Sequence, residues 1–168
     1  MSTLSTIGVD FETKKIKVDN KDVLLNIWDF AGERKFRMLL PSYISGASGA
    51  LILYDITNRE SLEDLHDWMK IIDSVPNGPK TRILVEAKID LEKYREVNRE
   101  EGLKFHEKYN FQGELIGTSA KTGENVEKVF ELLGREIIKN SLRECPNCGN
   151  LYAIELKFCH KCGHKTSP

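Results

Sequence analysis

The nine residues RILVEAKID, Arg82 to Asp90, hold the two features on which the reading of this chain turns. RILVEA, Arg82 to Ala87, is a short run rich in apolar and β-branched residues, as expected of a strand buried on both faces of a parallel sheet. AKID then sets Lys88 and Asp90 directly after that strand. Open α/β sheets bind ligands in the crevice beyond the carboxyl ends of their strands. The stretch therefore points both to a fold and to the place where chemistry belongs.

Working outward, ALILYD (Ala50 to Asp55) has the same buried-strand composition, and ELIGTS (Glu114 to Ser119) is a weaker third case. Helical patterns separate these strands. Leu62, Leu65, Met69 and Ile72 keep to one face, as do Val126, Val129, Phe130, Leu133 and Ile137. A less regular helix is expected from about Arg99 to Tyr109. Nearer the N-terminus, Val9 to Val18 alternates imperfectly, Asp19 to Asp22 forms a turn cluster, and VLLNIW (Val23 to Trp28) is a second strand, which together predict an antiparallel hairpin. Strand and helix then alternate, so the fold class is α/β, a mainly parallel sheet with one antiparallel edge hairpin.

Composition bounds the function. The chain has 168 residues, 40% hydrophobic and 30% charged, with a formal net charge of -1. That balance suits a globular protein and gives no general attraction to nucleic acid or anionic membranes. No apolar run approaches the ~20 residues of a membrane span, and neither a signal-peptide pattern nor a Cys-a-a-X box is present. The expectation is a cytoplasmic protein with no transmembrane span and no lipid anchor.

Three segments carry candidate chemistry, each at the end of a predicted strand. WDFAGE (Trp28 to Glu33) places Asp29 where its carboxylate can hold Mg²⁺ or its water, and Gly32 where a backbone amide can approach a phosphate. In AKID, the Asp90 carboxylate can accept paired hydrogen bonds from a guanine N1–H and its exocyclic amine, while the Lys88 stem lies along the base. TSAKTG offers Ser119, Ala120 and Lys121, with a backbone amide for the guanine O6. Each segment alone is weak, because Asp-x-x-Gly is also an ordinary turn. All three in order are much harder to obtain by chance. His66, His106 and Trp68 read as packed or surface residues on helical faces rather than ligands.

From Thr6 to about Lys139 the chain resembles the Ras superfamily of small GTPases, most closely the Rab branch. The resemblance rests on TIGVDF, WDFAGERKF, YDITNRESLEDLHDW, REVNREEGLKF and TSAKTGENVEKVF. It implies a P-loop NTPase-like fold, binding of GTP or GDP with Mg²⁺, and slow GTP hydrolysis as a molecular switch. It also implies that Thr6 and Asp29 meet Mg²⁺ and that the Gly32 amide senses the γ-phosphate. Glu33 stands where the family's water-orienting Gln is usual, so Gly32 and Glu33 are the expected catalytic positions. Lys88, Asp90 and the Ser119–Ala120–Lys121 loop would hold guanine. The sequence departs from the family in lacking a Gly-x-x-x-x-Gly-Lys-Ser/Thr loop and the strand and helix around it, and in having Ala87 where an Asn is usual. The expectation is a GTPase domain incomplete at its N-terminus, with impaired activity. The alternative is a nucleotide-independent module, derived from a small GTPase, that docks partner proteins. Effector or regulator proteins are the expected partners; a third reading has a partner chain supply the missing strand and phosphate loop.

The four cysteines fall as Cys145-x-x-Cys148 and Cys159-x-x-Cys162, with Gly149 and Gly163 each following a pair. Two such knuckles bring four thiolates onto a tetrahedral Zn²⁺, an arrangement similar to a zinc ribbon; a thiol redox pair is the other reading. The zinc would be structural, since four thiolates leave no open position. The expected division is 1–142 for the GTPase-like domain and 143–168 for the ribbon.

Overall fold

The computed structural model describes residues 8–31, 37–38 and 40–165. Its centre is a parallel three-stranded sheet in the order β3 (Gly49–Asp55), β4 (Thr81–Ala87), β5 (Ile116–Thr118). The fold class is as the sequence predicts: α/β, with a parallel sheet and an antiparallel hairpin. In β4, Thr81, Ile83, Leu84, Val85 and Glu86 are all buried, the two-sided burial that its apolar run requires.

Helices cover both faces. Helix α2 (Arg59–Ser74) starts at Asn58, whose side chain accepts from the Glu60 amide, and buries Leu62, Leu65, Met69 and Ile72. Helix α3 (Arg99–Lys108) opens on a reciprocal capping box between Asn98 and Glu101. Helix α4 (Val126–Ser141) covers the other face, where Val129 and Leu133 pack with Ile83, Val85 and Ile116. A short helix α1 (Leu40–Ile44), which the sequence pattern did not signal, adds Leu40 and Ile44 to the core beneath α2. Among the described residues no helix is long and apolar enough to cross a membrane.

The hairpin joins β1 (Val9–Val18) to β2 (Lys21–Phe30). Asp19 and Asn20 both have positive φ (46° and 66°), so the two-residue loop is the primed turn whose twist matches its strands. The hairpin is a sheet of its own: it shares no ladder with β3. It is fastened instead through side chains, with Ile16 and Val18 buried against Gly134 of α4 and Lys14 bound to Glu127 at 2.7 Å. At the turn end, Lys21 meets Glu144 at 2.9 Å, just before the first cysteine. Among the described residues no strand lies along the free edge of β3, where Leu53 is half exposed between buried Ile52 and Tyr54. The sequence reading anticipated this gap, and here it is not closed by strand pairing.

A glycine marks the tightest helix–sheet approach. A Cβ on Gly102 of α3 would overlap the buried Tyr54 hydroxyl and sit 3.0 Å from Leu115 Cδ2. Helix propensity favours Ala over Gly by about 1 kcal/mol, whereas overpacking costs about 1–3 kcal/mol. The Tyr54 ring cannot swing aside without losing its bond to Glu86. Gly102→Ala is therefore expected to lower stability in urea unfolding, against its propensity; a stabilised variant would show that α3 is free to shift.

Candidate functional site

Register assembles the site. Asp55 pairs with Ala87 and Ala87 with Thr118, so β3, β4 and β5 end level with one another. The next residues of each strand, Lys88 to Asp90 and Ser119 to Lys121, therefore emerge side by side at the carboxyl end of the sheet. Ser119 is buried and donates its hydroxyl to Asp90 Oδ1 at 2.6 Å. The Ser119 hydroxyl oxygen in turn accepts from the Thr122 amide at 3.1 Å, while the Ser119 carbonyl accepts from the Gly123 amide. Ala120 and Lys121 are exposed on this clamped turn. The sequence-predicted base-binding residues are thus brought together on two adjacent loops.

Lys88 has φ 65° and ψ 37°, left-handed backbone that is uncommon for a side-chain-bearing residue. Its ammonium lies 2.6 Å from Asp55 Oδ2 at the end of β3, although the side chain as a whole is 56% exposed. Asp55 Oδ1 accepts from both the amide and the hydroxyl of Thr57, at 2.8 and 2.7 Å. Partial burial would lift the Asp55 carboxyl, but the Lys88 and then the Thr57 hydrogen bonds outweigh it and hold its pKa below the ordinary value. Asp55 was not singled out from the sequence. Its position at the end of a buried strand, like Asp90 just beyond the next one, was the available signal.

Beneath these loops sits Glu86, buried to 1%. Its carboxylate accepts from the Tyr54 hydroxyl at 3.0 Å, from Arg95 at 2.8 Å and from Arg99. Burial and then the Glu86 charge raise the Tyr54 phenol well above its ordinary pKa, so it remains a donor. Arg95 closes the far end of the 3-10 segment Ile89–Tyr94 that carries Asp90.

Asp29 is exposed near the end of β2. Thr6, Gly32 and Glu33 lie outside the described residues. Beside Asp29, Phe11, Trp28 and Tyr43 form an exposed aromatic row, with ring centroids 4.9 Å and 5.1 Å apart. Cross-strand pairing of Phe11 with Trp28 creates it, and the sequence reading did not identify it.

The second constellation lies beyond α4, around β6 (Leu142–Glu144) and β7 (Leu151–Ala153). The Sγ atoms of Cys145, Cys148, Cys159 and Cys162 lie within 4.8 Å of one another. Two of the separations are 3.6 and 3.7 Å, Cys145 to Cys162 and Cys148 to Cys159. A tetrahedron of thiolates about 2.3 Å from zinc has edges of about 3.8 Å, so the donor set fits that ion. The two knuckles share one geometry. Gly149 and Gly163 have φ of 68° and 70°, and their amides bond to the carbonyls of Cys145 and Cys159 at 2.9 and 2.8 Å. Hydrogen bonds from the Asn147 side chain and the His164 backbone draw the Cys162 thiol down to about 6. His160 and His164 are exposed and stand outside the four-sulfur cluster.

The model of the Ras family matches residues 1–139. Ras-related protein Rab-13 of Canis lupus familiaris is 34% identical over 159 residues, covering 94% of this chain and 77% of that protein. Ras-related protein Rab-11B of Dictyostelium discoideum is 45% identical over 130 residues, 77% of this chain but 58% of its own length. Ras-related protein Rab-18 of Caenorhabditis elegans is 43% identical over 136 residues, 80% and 66% of the two chains. The chain belongs to the Ras family, within its Rab-like part.

Proposed function

We propose that this chain binds guanine nucleotide beyond the carboxyl end of its parallel sheet and hydrolyses GTP slowly, as a molecular switch. The observation that carries the reading is the Asp90–Ser119 pair. Ser119 occupies Asp90 Oδ1 at 2.6 Å and fixes the carboxylate plane, while Oδ2 takes no hydrogen bond among the described residues. A planar pair of donors, the N1–H and exocyclic amine of guanine, suits the acceptors that remain. Lys88 would lie along the base, and the Ser119–Ala120–Lys121 turn would offer a backbone amide to its O6.

On the phosphate side, Asp29 and Thr6 would hold Mg²⁺ and the Gly32 amide would meet the γ-phosphate. The ion would supply charge neutralisation on the phosphate oxygens. Glu33 in place of a neutral water-orienting side chain puts negative charge near negative charge, which favours slow hydrolysis. An extended segment along β3, supplied by a partner chain, would cover Leu53 and join the hairpin to the sheet; the free edge and that exposed leucine support it. We assign 1–142 to the GTPase-like domain and 143–168 to a structural zinc ribbon in a cytoplasmic protein.

A second reading, a docking module that needs no nucleotide, is favoured by the aromatic row. Phe11, Trp28 and Tyr43 are 48%, 46% and 39% exposed, which suits contact with an effector or regulator protein.

Two measurements test these assignments. Asp90→Ala removes two charge-assisted bonds of about 1.5–3 kcal/mol each, so GDP affinity by calorimetry should fall at least 100-fold; unchanged affinity would remove the base-site reading. The native chain should carry about one zinc, and Cys159→Ser should lose it in metal analysis. Because thiolates are the ligands, zinc affinity should fall as pH falls, and zinc binding unaffected by the substitution would disprove the ribbon assignment.

A further inference from the structure

The ion pair between Asp55 and Lys88 leads beyond the base contacts themselves. Lys88 is the residue whose stem faces the bound base in the reading above. A lysine on a free four-carbon stem has about 2 kcal/mol of rotamer entropy to lose when something is laid along it. Here the ammonium is already fixed, 2.6 Å from Asp55 Oδ2, while 56% of the side chain stays exposed. The stem is held from both ends: by left-handed backbone at one (φ 65°) and by the carboxylate at the other.

Asp55 is itself over-determined. Its second oxygen takes two bonds from Thr57, its amide donates to Ser61 Oγ at 2.9 Å, and its side chain is only 18% exposed. The Asp55 carboxylate has no partner in the core: it meets Thr57 in the loop that follows β3 and the lysine that follows β4, while its amide meets Ser61 in the first turn of α2. Thr57 holds one carboxylate oxygen in place, and the other is left to orient the Lys88 ammonium.

We infer that Asp55 is a positioning residue for base recognition: it fixes the Lys88 ammonium so that the lysine stem forms a ready-made shelf for the guanine ring. Asp55 touches no nucleotide atom in this role and acts only through Lys88. The inference rests on the base-site reading of Asp90 and Lys88, and it adds a residue from a third segment of the chain. A free lysine would need to be ordered at each binding event; a pinned one is ordered beforehand.

The test uses the full chain with guanosine and GDP as probes, measured by calorimetry for wild type, Asp55→Asn, Lys88→Met and the double variant. Lys88→Met keeps an apolar stem and removes the ammonium. Asp55→Asn, close to isosteric, is expected to weaken guanosine and GDP alike by about tenfold. In the Lys88→Met background the same change should have no further effect, because the two residues act as a unit. Thermal unfolding without ligand separates this from general destabilisation, which would not make the two substitutions non-additive in affinity. Wild-type affinity in Asp55→Asn, or an equal loss with and without the Lys88 ammonium, would overturn the inference alone. If the wild type binds neither probe, or if Asp90→Ala binds as the wild type does, the base-site reading falls and this one with it.

Discussion

A single carboxylate inside the sheet, that of Glu86, organises much of what surrounds it. Removing a carboxylate from water costs several kcal/mol unless it is matched by donors. Glu86 is matched by three, and each comes from a different element: Tyr54 from β3, Arg95 from the end of the 3-10 segment and Arg99 from α3. The burial cost thereby fixes the spacing of these pieces, because a donor drawn away leaves the charge exposed to an apolar interior. Gly102 follows from the same constraint. Tyr54 must hold its hydroxyl against Glu86, so the helix above it has no room for a side chain at that point. The loop that carries Asp90 thus stands on an ionic base rather than an apolar one.

The hairpin shows a different way of attaching an element. It makes a complete ten-pair ladder within itself and joins the remainder by side chains, with Ile16 and Val18 over Gly134 and Phe30 against the main core. Strand pairing distributes attachment along the backbone, whereas side-chain packing concentrates it at a few contacts. Phe11 and Trp28 lie on the same hairpin face as Phe30, and Tyr43 of α1 packs against Trp28 and Phe30, so this face meets α1 while the Ile16–Val18 face meets α4.

What could be read in advance followed from periodicity and from motifs with a local mechanism. Buried β4 was legible because its run is apolar without alternation, and the ribbon because Cys-x-x-Cys knuckles are local geometry. That Lys88 to Asp90 and Ser119 to Lys121 emerge together was legible because they follow directly on strands. Asp55 was not, because its importance depends on register: only the pairing of Asp55 with Ala87 brings it beside Lys88. Glu86 was hidden for a similar reason, its three donors lying 32, 9 and 13 residues away. The aromatic row needed the exact cross-strand match of Phe11 with Trp28, and α1 is too short for a 3.6-residue period to declare itself.

The long hairpin also serves as a ruler. Its turn end is tied to the ribbon through Lys21 and Glu144, while Asp29 lies eight residues further along the same strand. At about 3.3 Å per residue, roughly 26 Å of extended chain separates the two points. Exposed charges at those two points stand more than two Debye lengths apart, each about 8–10 Å. Charges at the turn end and at Asp29 are therefore largely screened from each other, and β2 joins the two points chiefly as a mechanical link.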